Sequence, residues 1–177
     1  MSLNLVNLDS VTRSLMLDEI DNDTKSTKLY ISPRLNVIGQ QEYPRLLKEA
    51  AEKHDDSWLA SQLRNKCNFF NASETRNLKS GPISAKVPSN APEMLAEGEF
   101  NRFYLRGLCL RAIQDKILKL IIYRAKSVSN PRLDSELKID SSVSPQELLD
   151  DLRRNIGLDT FLGLPSGPNS GLSTKLP

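Results

Sequence analysis

The chain has 177 residues, a formal net charge of +2 and 38% hydrophobic residues, which fits one globular domain with extended ends better than two full domains. It contains no run of about 18 apolar residues that could span a bilayer, and its first residues lack the basic and apolar regions of a signal peptide, so we expect a cytoplasmic protein. Two cysteines and one histidine indicate neither a disulfide framework nor a Cys/His metal cluster.

Charge is distributed unevenly along the chain. Residues 64–132 contain thirteen Lys/Arg and five Asp/Glu, whereas residues 1–23 and 133–177 both have an acidic excess. A basic middle between acidic ends can attract polyanions, or the ends of another copy of the same chain. The alternative is that these charges only solvate helix surfaces.

The first third of the chain predicts an arm followed by three helices. Residues 1–8 place apolar side chains among polar ones without helical spacing, which is typical of an extended N-terminal arm. Asp9 or the serine after it can cap a helix over about 10–22. A proline fits the first turn of a helix, so Pro44 predicts a second helix over 44–53, and a third begins near residue 56.

Residues 71–92 have neither helical nor strand periodicity, and we expect a long basic loop there. A structureless segment of about twenty residues within a compact domain is generally functional or disordered, which makes this loop the leading loop candidate for function. Phe69 and Phe70 precede it among basic residues. Such aromatics can stack on bases while the cations neutralise phosphates, or they can simply anchor the loop on the core.

The densest apolar segment covers about residues 92–113 and predicts the central helix of the fold, with Phe100 and Phe103 facing the core. Gly98 and Gly107 lie in its interior. A glycine in a helix costs about 1 kcal/mol relative to alanine, so we expect each to mark the close approach of another backbone.

The last third predicts a strand, a helix and a second arm. Residues 118–128 are rich in aliphatic and β-favouring residues, which indicates a strand with a weakly marked partner around 136–143. The segment Ser144-Pro145-Gln146-Glu147 combines a capping box with proline at the first helical position, the clearest local signal in the chain. Residues 164–177 are rich in Gly, Pro and Ser and predict an irregular C-terminal arm.

These elements predict a predominantly helical α+β fold. Residues 1–163 would form a single compact domain with a small sheet, and residues 164–177 would extend from it as an arm.

The candidate binding residues are basic side chains in the middle of the chain. Arg102 and Arg106 lie one turn apart on the central helix beside Glu99, and two guanidiniums at this spacing can bind phosphate or carboxylate. We expect this strip on the outside of the domain; the alternative is an intramolecular salt-bridge network, or contact with acidic neighbours in an oligomer. The complete set of tentative anion- or nucleic-acid-binding residues is Arg102, Arg106, Arg111, Arg124, Lys126, Arg132, Lys79 and Lys86.

No residue is assigned a catalytic role. Glu136-Leu137-Lys138 matches the acid-x-lysine half of a metal-dependent nuclease site, with Asp115 or Asp134 as a second carboxylate, but such triplets arise readily by chance in a chain with 22 acidic residues. The remaining reactive side chains have no motif around them and are expected to be structural: His54, Cys67 and Cys109.

The sequence therefore favours a non-enzymatic interaction protein. We expect a self-assembling structural or particle-forming subunit, a homo-oligomer held together by its terminal arms and by charge complementarity. The alternatives are a nucleic-acid-binding protein that uses the basic middle, and a divergent metal-dependent nuclease. No cofactor, membrane or small-molecule substrate is indicated.

Overall fold

The computed structural model describes residues 2–65, 69–79, 81–131, 133–157, 160, 162–164 and 171–177. These residues form six helices and two small sheets, which confirms the predominantly helical α+β fold. The helices are α1 (Ser10–Lys25), α2 (Val37–Lys53), α3 (Asp56–Asn65), α4 (Ala91–Gln114), α5 (Leu133–Glu136) and α6 (Pro145–Arg154), and the strands are β1 (Ser73–Leu78), β2 (Gly81–Lys86), β3 (Leu120–Arg124), β4 (Ser142–Val143) and β5 (Leu172–Lys175).

Side-chain caps set the starts of several helices. Asp9 caps α1, as the sequence predicts, and Asp55 accepts a hydrogen bond from the first turn of α3, which begins at Asp56. Ser144 caps α6, which confirms the helix that begins at Pro145. The predicted start of α2 at Pro44 was wrong, because the helix begins seven residues earlier, after the cap Asn36. Pro44 lies inside the helix, not in its first turn, where the missing N–H of a proline costs no hydrogen bond and where the prediction placed it.

Helix α4 is the centre of the fold. It packs against α1, α3, α6 and β5, and every residue from Glu99 to Cys109 is buried. Phe100 and Phe103 are fully buried, as predicted. A helix that is covered by neighbours around most of its circumference needs no polar stripe, which distinguishes it from a surface helix. Within the part of the chain that the structure describes, no helix is both long and apolar enough to cross a membrane.

The two glycines of α4 differ in their surroundings. A Cβ added to Gly107 would lie 2.9 Å from the backbone oxygen of Thr12 and from Cγ of Met16, so α1 crosses α4 at this point. The predicted close approach is confirmed there. At Gly98 an added Cβ would meet no atom within 4 Å, and the expectation of a close approach was wrong.

A three-stranded antiparallel sheet in the order β4-β3-β5 lies beside α4. The predicted strand is confirmed as β3, while its partner β4 is only two residues long. The prediction of an irregular arm was wrong for residues 172–175, which form β5 and pair with β3; residues 165–170 lie outside the described chain. Ser173 donates to Asn101 Oδ1 of α4 at 2.7 Å, so β5 belongs to the domain and hydrogen-bonds to its central helix.

The N-terminal segment is non-helical, as predicted, and it folds back onto its own chain. The Leu3 N–H and the Ser2 hydroxyl donate to Oδ1 of the buried Asp56. The Asn4 N–H donates to the Ala125 carbonyl at 2.8 Å. The Ser2 side chain and the backbone of this segment therefore form their hydrogen bonds within one copy of the chain.

The second sheet is a hairpin formed by β1 and β2. It occupies the stretch 71–92 that the sequence predicts as a long loop, so that prediction was wrong. The strands pair from Ser73↔Lys86 to Leu78↔Gly81. No sequence signal of alternating apolar residues marks them, and none of the hairpin side chains that the structure describes is buried in the core.

Candidate functional site

The arginine strip on α4 lies inside the protein, and its predicted position on the outside was wrong. Arg106 Nη1 lies 2.5 Å from Asp23 Oδ2, and Arg106 Nε lies 2.6 Å from Glu19 Oε2. Arg153 of α6 also binds Glu19, at 2.5 Å. Burial alone would raise the pKa of Glu19, but the hydrogen bond from Arg153 and the charge of Arg106 lower it. This network joins α1, α4 and α6 through paired charges.

Arg102 and Glu99 form a second buried pair on the same helix. Arg102 Nε lies 3.4 Å from Glu99 Oε1, and Arg102 Nη1 donates to the Asn155 carbonyl at the end of α6. Burial raises the pKa of Glu99, and the charge of Arg102 offsets this only in part. Both side chains are more than nine-tenths buried, so neither presents a charge to a macromolecular ligand.

Three further candidate side chains are also paired within the chain. Each contacts a carboxylate of the same copy: Arg111 with Asp9 at 2.6 Å, Arg124 with Glu136 at 2.5 Å, and Lys126 with Glu97. Arg132 lies outside the described residues. Anion binding at these positions stays a prediction, and their observed contacts stabilise the fold.

Lys79 and Lys86 are in a different environment, because they lie on the β1–β2 hairpin (residues 73–86). Lys79 follows β1 in the connection between the strands, Lys86 ends β2, and both side chains are exposed. Among the described residues, no carboxylate is within 4.0 Å of either ammonium group. These lysines are the candidate residues whose charge is available at the surface.

The register of the hairpin determines which side chains share a face, because directly opposite residues point to the same side of a sheet. Arg76 lies opposite Ile83, and this face also carries Glu74. Ile83 is 42% exposed although it is a large apolar residue. The other face consists of small polar residues, Pro82 and Lys86. A two-stranded hairpin without a buried face is marginally stable by itself in water.

The hairpin is fixed to the domain at its base. The Asn71 N–H donates to the Arg34 carbonyl at 2.8 Å, and Arg34 Nε lies 2.5 Å from Glu74 Oε2. Beyond this anchorage the hairpin has no extensive contact with any other described helix or strand. It therefore projects from a firm attachment, and most of its described side chains are exposed.

An open cleft of about 520 Å³ lies at the base of the hairpin and is lined in part by Phe70, Arg64 and Lys86. Phe69 is buried in the core, so it has the anchoring role that the sequence left open. Phe70 is only partly buried and forms an isolated β-bridge with Leu35. Arg64 is paired with Glu93, whereas Lys86 has no ion-pair partner among the described residues.

The residues of the nuclease hypothesis have structural contacts. Glu136 pairs with Arg124, and Lys138 Nζ donates to the Leu162 carbonyl at 2.6 Å. Within the described chain, no three His, Cys, Asp or Glu side chains are grouped so that they could hold a metal ion. The geometry thus favours a structural role for this triplet.

The isolated reactive side chains also have structural surroundings. The His54 ring stacks on Trp58, with ring centroids 4.2 Å apart. Cys109 is buried in α4, and burial raises the pKa of its thiol far above the usual range, so the reactive thiolate does not form at neutral pH. Cys67 lies outside the described residues.

Comparison with known proteins adds no family: no family model matches the chain, and neither a curated protein nor a solved structure is significantly similar to it.

Sequence reasoning missed the hairpin itself, and with it the exposed pair Arg76 and Ile83. One signal could have indicated it, since Ser80-Gly81 is a dipeptide typical of turns, and Gly81 has a φ of +114°. With a turn placed there, the polar segments on either side would have been recognised as two strands of equal length.

Proposed function

We propose that the protein is a non-enzymatic, self-assembling subunit and that the β1–β2 hairpin is the element that joins copies. The observation that carries this proposal is a hairpin that projects from the domain without a packed face of its own. Natural proteins usually cover or shorten unpaired strands, because an exposed strand is a template for association. Here the strands are six residues long, and most of their described side chains are exposed within a single copy.

We place assembly on the hairpin rather than on the terminal segments. The terminal segments, on which the sequence-based hypothesis relied, bind their own chain through Asp56, Ala125 and β5. Charge complementarity remains part of the proposal, because the hairpin carries three basic residues and one acidic residue. Its exposed Lys79 and Lys86 have no partner in one copy among the described residues.

The test compares the mass of the protein in solution with and without the hairpin. Residues 74–85 are replaced by a short Gly-Ser linker, and light scattering after gel filtration is measured up to about 100 µM, well above the micromolar dissociation constants of weak specific interfaces. We expect the parent protein to be oligomeric and the shortened variant to be a monomer with unchanged helical content. Leu118→Ser is the matched control, since Leu118 is 83% exposed outside the hairpin. A monomeric parent protein would refute the proposal.

Nucleic-acid binding is the second candidate, and the exposed lysines of the hairpin favour it. A two-stranded ribbon fits the major groove of DNA, and Lys79 and Lys86 are free to contact phosphates. Anisotropy with a labelled duplex and a labelled RNA should then show binding that weakens steeply with salt and that is reduced in Lys79→Ala/Lys86→Ala. Binding that does not depend on these lysines, or no binding at all, would exclude this role.

A further inference from the structure

The hydrogen bonds at the base of the hairpin show which backbone groups of β1 point outwards. The Val87 N–H donates to the Ala72 carbonyl at 3.2 Å, so these opposed residues form a hydrogen-bonded pair. In an antiparallel ladder such pairs alternate with pairs that exchange no hydrogen bonds. Along the register of the hairpin, Thr75 and Asn77 therefore belong to non-bonded pairs, and their N–H and carbonyl groups point away from β2.

The outer edge of β1 is hydrogen-bonded to the domain at the base of the hairpin. There the Asn71 N–H points the same way and donates to the Arg34 carbonyl. Beyond that point, no residue that the structure describes forms a hydrogen bond with the outward backbone groups of Thr75 or Asn77. Both side chains are exposed. β1 thus presents a short row of unpaired backbone groups, which is the feature that accepts a further strand in edge-to-edge association.

The outer edge of β2 differs from that of β1, because Pro82 occupies an outward position. The register places Pro82 opposite Asn77, in a non-bonded pair, and a proline there offers no N–H to an approaching strand. Lys86 is another outward residue of β2, and its side chain is exposed. Proline and lysine on an edge strand both discourage pairing with another chain. Of the two edges, that of β1 is therefore the one suited to accept a strand.

The charges of β1 select one register for pairing with a second copy of the same strand. Two identical antiparallel strands can pair around a two-fold axis at residue 74, 75 or 76 in the middle of β1. The axes at 74 and 76 oppose two copies of Glu74 or two copies of Arg76, and like charges directly opposite each other are destabilising. The axis at Thr75 instead places Glu74 of each copy opposite Arg76 of the other. These two side chains already form an ion pair within one copy, at 2.7 Å, so the register around Thr75 opposes unlike charges.

We propose that two copies pair edge to edge along β1, around a two-fold axis at Thr75, and form a continuous four-stranded sheet in the order β2-β1-β1-β2. This inference rests on the proposed self-assembly and names the edge that joins the copies. Residues 73–77 of the two strands would form about six backbone hydrogen bonds, and the pairing ends before Asn71, where Arg34 occupies the edge. A two-fold contact uses the same surface on both copies and closes on itself, so the product is a dimer of about 40 kDa, twice the 19.8 kDa of the chain.

The test introduces proline at opposed positions on the two edges. Thr75→Pro removes an outward N–H of β1, and Ser84→Pro removes the outward N–H of the residue opposite it on β2. Neither N–H forms a hydrogen bond between the two strands, so the variants strain the hairpin similarly but change different edges. By light scattering after gel filtration up to about 100 µM, Thr75→Pro should weaken dimerisation at least tenfold, whereas Ser84→Pro should leave it unchanged.

Cysteine cross-linking gives a second measurement that involves no proline. In a Cys67→Ser background, Thr75→Cys places two thiols at the two-fold axis, where the Cα atoms of a hydrogen-bonded pair are about 5.5 Å apart, within the range that a disulfide spans. The remaining Cys109 is buried. On oxidation, a covalent dimer should appear on a non-reducing gel at least ten times faster for Thr75→Cys than for the control Ser84→Cys.

The outcomes separate this inference from the proposed function. If Thr75→Pro dimerises like the parent, or if Thr75→Cys cross-links no faster than Ser84→Cys, copies do not pair along β1 and the inference is wrong. The proposed function still stands in that case if replacement of the whole hairpin abolishes assembly. If both proline variants are monomeric, the cross-linking rates decide. A monomeric parent protein overturns both proposals, and a parent protein larger than a dimer contradicts the closed two-fold contact.

Discussion

Gly98 and Gly107 allow a stringent test of the packing of α4, because the same substitution should have opposite effects at the two positions. At Gly98 an alanine Cβ enters open space, and the higher helix propensity of alanine should stabilise the fold by about 1 kcal/mol. At Gly107 the same methyl group would lie 2.9 Å from the Thr12 carbonyl oxygen and 3.0 Å from the Met16 nitrogen. Both are backbone atoms of α1, so no side-chain rotation can relieve the contact.

The magnitude at Gly107 follows from these distances. Ordinary contacts of a Cβ begin near 3.4 Å, so α1 must move by about 0.5 Å, and overpacking of this kind typically costs about 1–3 kcal/mol. Backbone contact places the cost near the upper limit, and the propensity gain of about 1 kcal/mol leaves a net loss of about 2 kcal/mol. The two alanine variants should therefore differ by about 3 kcal/mol, or about 6–12 °C in Tm for a chain of this length.

Thermal unfolding followed by circular dichroism, with urea unfolding as a second measurement, gives this difference directly. Gly107→Leu should be still less stable than Gly107→Ala, because the larger side chain adds contacts in the same place. If Gly107→Ala is as stable as Gly98→Ala, then α1 does not cross α4 at Gly107, and the assignment of the helix–helix contact is refuted.

Two predictions concern the buried charges. Arg106→Met should lower the free energy of unfolding in urea by about 3–5 kcal/mol, because it leaves two buried carboxylates without their main partner. Adding Glu19→Gln and Asp23→Asn to this variant should recover much of the loss. A loss below about 1 kcal/mol for Arg106→Met alone, as for an exposed pair, would contradict the network. Burial raises the pKa of Asp56 although Ser2 and Leu3 donate hydrogen bonds to its carboxylate. The folded protein therefore binds the proton of this carboxyl more tightly than the unfolded chain does. Stability consequently falls as the pH rises from about 3.9, the pKa in the unfolded chain, towards the raised pKa of the folded state. Asp56→Asn should remove that loss, so its stability relative to the parent should increase with pH over this interval; a pH-independent difference would refute the prediction.

Features encoded in a few adjacent residues were predictable from the sequence. The capping box at Ser144 and the cap at Asp9 identify α6 and α1 because the side chain and the N–H group that it binds are three residues apart. The apolar density of α4 identifies the central helix for a similar reason. In each case the information needed is contained within one or two helical turns.

Features that depend on distant partners were not predictable in the same way. β5 contains Ser173 and Thr174, which are both fully buried. The Ser173 hydroxyl donates to Asn101 of α4, and the Thr174 backbone pairs with Ile122 of β3. The arginine strip resembles an exposed binding surface until Glu19 and Asp23 of α1, more than 80 residues away, are placed against it. The hairpin differs from both, because its strands pair with each other and contact the domain only at the base. Its sequence therefore lacks the alternating apolar residues that would indicate strands packed on a core.

The position of β5 has a consequence for the order in which the molecule can form. The Asn101 amide donates to the Leu172 carbonyl and the Tyr104 hydroxyl to that of Thr174, so two buried polar groups of the central helix depend on residues some seventy positions later in the chain. A nascent chain that ends before residue 172 would have to bury these groups without partners, at about 1–3 kcal/mol each. All six described helices precede residue 172 in the chain, yet their packing is complete only when β5 has been added. We therefore expect folding during synthesis to occur in one late cooperative step, with the apolar side of α4 exposed until β5 has been made.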